Sequence, residues 1–327
     1  MKRLWIVFIA IFVFSFAVLG WVGAEIFRQA PPIPNEVVTT DGRTVIAAGD
    51  ISNGQNVWQA MGGMQVGSIW GHGSYVAPDW TADYLRREAL YILEKWARVE
   101  FTKDYGSLNS EQQAALRQRL QNMLRRNNYD AQTGKLAIEP IRAEAFEENL
   151  KHYTEVFTNG ENNYAIQRNA QSDPTKLRQL NSFFFWTSWA SVANRPNQTI
   201  SYTSNFPSEP LVGNAPTSSA IVWTGVSVIM LLAGIGAMIW FLAGRKKEEE
   251  IAAPATDPLI GMELTPSQRA TVKYFAVVTL LFLLQILMGA LTAHYGVEGG
   301  GFYGFPLADY LPYAVTRTWH TQLGIFW

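Results

Sequence analysis

The chain has 327 residues, 48% hydrophobic and 13% aromatic, so apolar surface for a core is ample. Its 26 Lys and Arg nearly cancel its 27 Asp and Glu, which gives no support for a nucleic-acid partner. With no Cys, disulfides, thiolate chemistry, iron–sulfur clusters and a c-type haem attached through C-x-x-C-H are excluded; four His remain, His72, His152, His294 and His320.

The apolar residues are gathered in blocks. Leu4 to about Val22 follows Lys2 and Arg3 and is long enough to cross a ~30 Å hydrocarbon layer as a helix. A cleaved signal peptide is the competing reading, but its apolar core is typically about 7–15 residues, so an uncleaved anchor is expected. A proline-rich exit at Pro31–Pro32–Ile33–Pro34 leads into a polar region. Glu36–Thr40 and Thr44–Ala47 around Asp41–Gly42 predict a small β hairpin. Next comes Trp70–Gly71–His72–Gly73–Ser74–Tyr75–Val76–Ala77–Pro78–Asp79–Trp80, where two glycines bracket a His. This is either a tight loop with a surface His or a site where the Gly73 carbonyl and Tyr75 phenol face a hard, oxygen-seeking cation. Three helices follow by spacing. Leu85, Ala89, Ile92, Trp96 and Val99 follow a Thr81 N-cap; Ser110 and Gln113 form a capping box before Leu116, Leu120, Met123 and Leu124; Pro140 opens a helix with Phe146, Leu150, Tyr153 and Phe157 on one face. Asn194–Thr217, rich in Pro, Asn, Ser and Thr, reads as a linker back to the membrane.

A second span is predicted from about Ser219 to Ala243 and a third from about Ala270 to Ala293. A fourth starts near Pro312 and runs to Trp327 with no cap or polar flank, so the expectation is a chain truncated within a span. Lys2–Arg3, Arg245–Lys246–Lys247, Arg269 and Lys273 flank the spans on one side, which the positive-inside rule assigns to the cytoplasm. Residues 28–216 and 294–312 then lie outside.

Two groups of residues carry chemistry within these spans. His320 lies about eight residues past Pro312, roughly 12 Å down a helix, where an ionisable side chain is costly unless it has a partner and a function. It is a haem axial ligand, a hydrogen-bonded structural His, a proton-path residue or another metal's ligand. Arg317, three residues earlier on the same face, suits the first: iron on His320, haem carboxylates toward the guanidinium. At the end of the third span His294 and Glu298 stand four residues apart before Gly299–Gly300–Gly301–Phe302. They form either an ordinary interfacial cap or a quinol site, which needs proton acceptors beside an aromatic wall.

Arg317–Thr318–Trp319–His320–Thr321–Gln322–Leu323, together with the Trp70–Pro78 stretch, resembles the N-terminal half of quinol-dependent nitric oxide reductases, and the resemblance extends over the whole chain. It implies a mainly α fold: residues 1–27 an anchor, 28–216 an external, mostly helical cytochrome-c-like domain with a small hairpin and no haem c, and 217–327 the start of a haem-binding bundle, about four membrane helices in all. By this resemblance His320 is an axial ligand of low-spin haem b and Arg317 contacts its propionates. Gly73 and Tyr75 help hold calcium, and His294, Glu298 and Phe302 form the quinol site. Met61–Gly62–Gly63–Met64–Gln65 stands near where the related cytochrome c subunit carries C-x-x-C-H. The family couples two nitric oxide molecules to nitrous oxide and water with two electrons and two protons. Its haem b3 and non-haem iron ligands are expected in a missing C-terminal part, so this segment alone is expected to be inactive. The implied location is the bacterial inner membrane, with residues 28–216 on the periplasmic side.

Two rival readings remain. A membrane-tethered binding or sensor domain has no use for Arg and His on one face deep in a span. A cytochrome-c-dependent enzyme normally carries its external domain and its bundle helices on separate subunits.

Overall fold

The computed structural model describes residues 2–71, 77–166, 168–245, 254–257, 259–297, 302–305, 307–311 and 313–327. The chain divides into two units, residues 1–57 with 64–216, and residues 58–63 with 217–327.

The first unit opens with helix α1 (Lys2–Arg28). Trp5, Ile6, Val7, Phe8, Ile9 and Ile11 are exposed on all sides of it, a surface that only lipid solvates without cost. After the proline exit, where the Pro32 carbonyl accepts from Trp186 Nε1 at 2.8 Å, β1 (Glu36–Thr39) and β2 (Thr44–Ile46) form the expected antiparallel hairpin. The hairpin is half of a sheet. β4 (Lys135–Ile138) lies parallel to β1, pairing Val37 with Leu136 and Thr39 with Ile138, and β3 (Tyr129–Asp130) completes the order β2-β1-β4-β3. Val37, Ile46, Leu136 and Ile138 point from it into the core.

Five helices make up the rest of this core: α2 (Asp50–Ala60), α3 (Trp80–Phe101), α4 (Ser110–Arg125), α5 (Pro140–Asn159) and α6 (Pro174–Val192). α6 is the central one, buried continuously from Leu180 to Val192. Trp80, the first residue of α3, stacks on Phe184 of α6 with centroids 5.1 Å apart, and Tyr153 and Phe157 of α5 close round it at 5.8 and 5.2 Å. Each such aromatic, fully withdrawn from water, contributes on the order of 1.5–3 kcal/mol. Glu88 of α3 meets Arg142 of α5 at 2.7 Å inside this core, both almost wholly withdrawn from solvent.

Several expectations are corrected in detail. The N-cap of α3 is Asp79, whose carboxylate accepts from Ala82 N, and Thr81 lies inside the helix. The capping box of α4 is Asn109 with Gln112, one residue before the expected pair. Val99 points to solvent because it falls off the buried stripe that ends at Ala97. Asn194–Thr217 is not a simple linker. Ser201, Glu209, Val212 and Asn214 are buried, and Arg125 donates to the carbonyl of Val212 at 3.1 Å and to Asn214 Oδ1 at 3.0 Å. The polar composition serves side-chain hydrogen bonds that fasten this segment to the domain.

The second unit holds α7 (Ser218–Arg245), a short α8 (Pro266–Ala270) capped by Thr265 with Gln268, α9 (Val272–Val297), α10 (Leu307–Tyr310) and α11 (Tyr313–Phe326). Among the described residues three helical stretches are long and apolar enough to cross a membrane: Trp5–Arg28, Ser218–Gly244 and Pro266–Tyr295. The expected fourth is present as α11, whose 14 residues reach about 21 Å at 1.5 Å per residue, short of a full span.

Candidate functional site

α9 and α11 pack along one seam. Met288, Leu291 and Tyr295 of α9 are buried with Tyr313, and Leu284, Leu307 and Leu323 flank them. A glycine on each helix makes room for a side chain of the other. Gly289 of α9 faces the His320 ring and Gly324 of α11 faces the Gln285 side chain. In that seam His320 Nδ1 donates to the Gln285 carbonyl at 2.9 Å. A carbonyl oxygen only accepts, so Nδ1 carries a proton, and the neutral tautomer with that proton has its lone pair on Nε2. Metal-bound histidines are commonly oriented in this way, the other ring nitrogen donating to a carbonyl. His320 therefore fits an axial ligand of a haem. Gln285 Oε1 also accepts from Trp327 Nε1, and Trp327 meets Phe282 edge-on at 4.8 Å. Arg317, half-buried, precedes His320 by three residues on α11, about 4.5 Å along the axis.

A second cluster forms at the far end of α9. The His294 ring lies parallel to Phe302 with centroids 4.0 Å apart and planes 6° apart. Tyr303 stands edge-on to both, 6.0 Å from His294 and 4.9 Å from Phe302, and reaches Tyr295 at 6.0 Å. The Tyr295 hydroxyl is buried and has no hydrogen-bond partner among the described residues. The structure thus brings together His294 and Phe302 of the expected set and adds Tyr295 and Tyr303; Glu298 lies outside the described residues. About five residues of helix, roughly 7.5 Å, separate Gly289 from His294 along α9.

His72, Gly73 and Tyr75 also lie outside the described residues, but the residues on either side of them are described. Asp79 joins the two flanks: Oδ1 caps α3 through Ala82 N at 2.9 Å, while Oδ2 accepts from Gly71 N at 2.6 Å and Ser68 Oγ at 2.8 Å. Trp70 Nε1 donates to the Thr187 carbonyl at 3.0 Å, which ties the first flank to α6. Gly71 has φ +73° and the Phe206 ring against it, so a Cβ there would collide with the ring. Among the described residues no three His, Asp or Glu side chains gather as a metal-ion site. Met61–Gln65 forms the turn and one 3-10 turn after α2.

Residues 34–208, more than half of the chain, match the family model described as the NorB cytochrome c-like domain of nitric oxide reductase. The chain belongs to the NorB family of nitric oxide reductases. A comparison with curated proteins gives no match. The matched segment of this nitric oxide reductase family member runs from the proline exit through the sheet and α2–α6. Within it, Asp83 accepts from Tyr153 at 2.9 Å, Tyr164 at 2.8 Å and Arg87 at 2.8 Å. Burial, reinforced by Asp83, pushes the Tyr153 phenol well above the usual tyrosine range. His152, which edges Tyr153, is held below the usual histidine value by burial and then by Arg87, and its Nε2 is buried without a partner among the described residues. These groups are packed and satisfied as a structural network, apart from that one nitrogen.

The sequence singles out His320, Arg317, His294 and Phe302 as candidates. It misses Gln285 and Gly289, for which the only signal is an interhelical contact, and Tyr295 and Tyr303, which read as ordinary interfacial aromatics.

Proposed function

We propose that this chain is the quinol-oxidising, electron-accepting portion of a nitric oxide reductase. The observation that carries the reading is the His320 imidazole, fixed through Nδ1 by the Gln285 carbonyl within an apolar helix pair, in a member of the NorB family. A bound low-spin haem b would supply one-electron transfer between quinol and the site of nitric oxide reduction. His320 Nε2 would hold its iron, and Arg317 would face its propionates with charge-assisted hydrogen bonds.

His294, Phe302 and Glu298 would form the quinol site. The parallel Phe302 ring supplies an apolar wall, and His294 takes the proton that leaves a quinol hydroxyl as its electron departs. Gly73 and Tyr75 would give oxygen ligands to calcium between the two flanks that Asp79 joins. The chain has only four histidines, so the ligands of haem b3 and of non-haem iron would come from residues outside it. The orientation that accompanies this reading puts residues 28–216 on the periplasmic side of the inner membrane, with Arg269 and Lys273 in the cytoplasm.

The test uses the full-length protein in detergent with a short-chain quinol. His294→Ala and Phe302→Ala should slow haem b reduction by quinol at least 10-fold while reduction by dithionite is unchanged. Wild-type quinol kinetics in both variants would remove the quinol site from these residues.

A further inference from the structure

We propose that Gly289 and the Gln285 carbonyl are positioning residues for His320, selecting the imidazole nitrogen left for a metal. The inference rests on the reading of His320 as a haem ligand. Glycine inside a helix costs roughly 1 kcal/mol relative to alanine, so its place in α9 calls for a reason in packing. The reason is visible across the seam. A Cβ on Gly289 would lie 2.8 Å from both Nδ1 and Cε1 of His320, closer than real Cβ contacts come.

The imidazole is the end of a side chain and the Gly289 backbone is fixed within a helix, so relief comes from moving the ring. That movement breaks the 2.9 Å bond to the Gln285 carbonyl. Without the bond the Nε2–H tautomer competes, and the lone pair no longer resides on the nitrogen needed for iron. The carbonyl belongs to the backbone, so no side-chain substitution deletes it directly; Gly289 is the residue through which it can be perturbed.

The same seam provides an internal comparison. A Cβ on Gly324 would meet Gln285 Nε2 at 2.7 Å, the tip of a flexible amide that can turn aside, and would not touch the imidazole. Gly289→Ala and Gly324→Ala therefore crowd one interface equally but differ in what they displace.

The experiment measures low-spin haem b in the full-length protein by electron paramagnetic resonance, reduced-minus-oxidised absorption and midpoint potential. Loss of an outer-shell partner typically weakens metal affinity about 10–100-fold. Gly289→Ala should accordingly deplete the low-spin haem or shift its g-values and potential, and Gly324→Ala should keep the wild-type signal. Wild-type spectra and potential in Gly289→Ala overturn the inference. So does an equal loss in both variants, including failure of both to fold, which marks a general packing defect. His320→Ala separates the two layers: if it leaves the low-spin signal intact, the ligand reading itself fails, whereas loss there with no effect of Gly289→Ala removes only the positioning role.

Discussion

Asp79 performs two tasks with two oxygens, and substitution can separate them. Asp79→Ala removes the α3 cap at Ala82 N and the two bonds that tie residues 68–71 to Asp79, from Gly71 N and Ser68 Oγ. Losing an N-cap costs about 1 kcal/mol. The other two bonds, one of them at an exposed position, add about 0.5–1.5 kcal/mol each. The sum, roughly 2–4 kcal/mol, corresponds to a fall in Tm of about 4–16 °C for a domain of this size. Asp79→Asn behaves differently. Asn caps helices as well as Asp, so its one oxygen keeps the cap, but the amide then turns an NH2 toward the Gly71 N–H. It should lose about half as much. The assay is thermal unfolding of the full chain in detergent followed by near-ultraviolet circular dichroism, to which Trp70 and Trp80 contribute. A change below about 2 °C in Asp79→Ala would refute the clamp, and equal losses in the two variants would refute the division between the oxygens.

Three further outcomes are expected. Glu88→Ala strands Arg142, whose side chain is 3% exposed, and should cost about 3–5 kcal/mol in chemical denaturation, while an apolar pair, Glu88→Leu with Arg142→Met, should recover most of it. His152 is held neutral in the fold, so below the unfolded-state value of about 6.5 the unfolded chain binds a proton that the folded chain refuses; stability should fall with pH there until the folded ring also protonates, and His152→Gln should flatten that part of the Tm profile. If Gly73 and Tyr75 bind calcium, chelation should lower the Tm, since ligand at 100 times its Kd adds about 2.7 kcal/mol, and Tyr75→Phe should shrink the response; a chelation-independent Tm would remove calcium from the loop.

Legibility in the sequence follows the physics of each element. The membrane spans and α5 are plain because long apolar runs and a Pro140 start with Phe146, Tyr153 and Phe157 in phase are local signals. α6 escapes sequence reading, since Phe183–Phe184–Phe185–Trp186 is apolar on every side and leaves no amphipathic stripe. β3 and β4 escape it because β4 pairs with β1 across about a hundred residues of chain, and Tyr129–Asp130 is too short to alternate. The caps of α3 and α4 are displaced by one or two positions where several cap-forming residues adjoin. His320 stands out because it shares a face with Arg317 in the last predicted helix, two ionisable groups three residues apart. Gly289, by contrast, shows in the sequence only as a glycine inside a predicted span, and the ring that gives it a reason crosses to it from another helix.

The proposed electron entry passes through His320. The deciding measurement is the low-spin haem b spectrum of the full-length protein with and without His320→Ala. The wild type should show a low-spin b-type signal and the variant should lose it while its cytochrome c-like domain still unfolds at the wild-type Tm. A variant that keeps an unchanged low-spin signal would contradict the assignment and remove the redox role proposed for the α9–α11 pair.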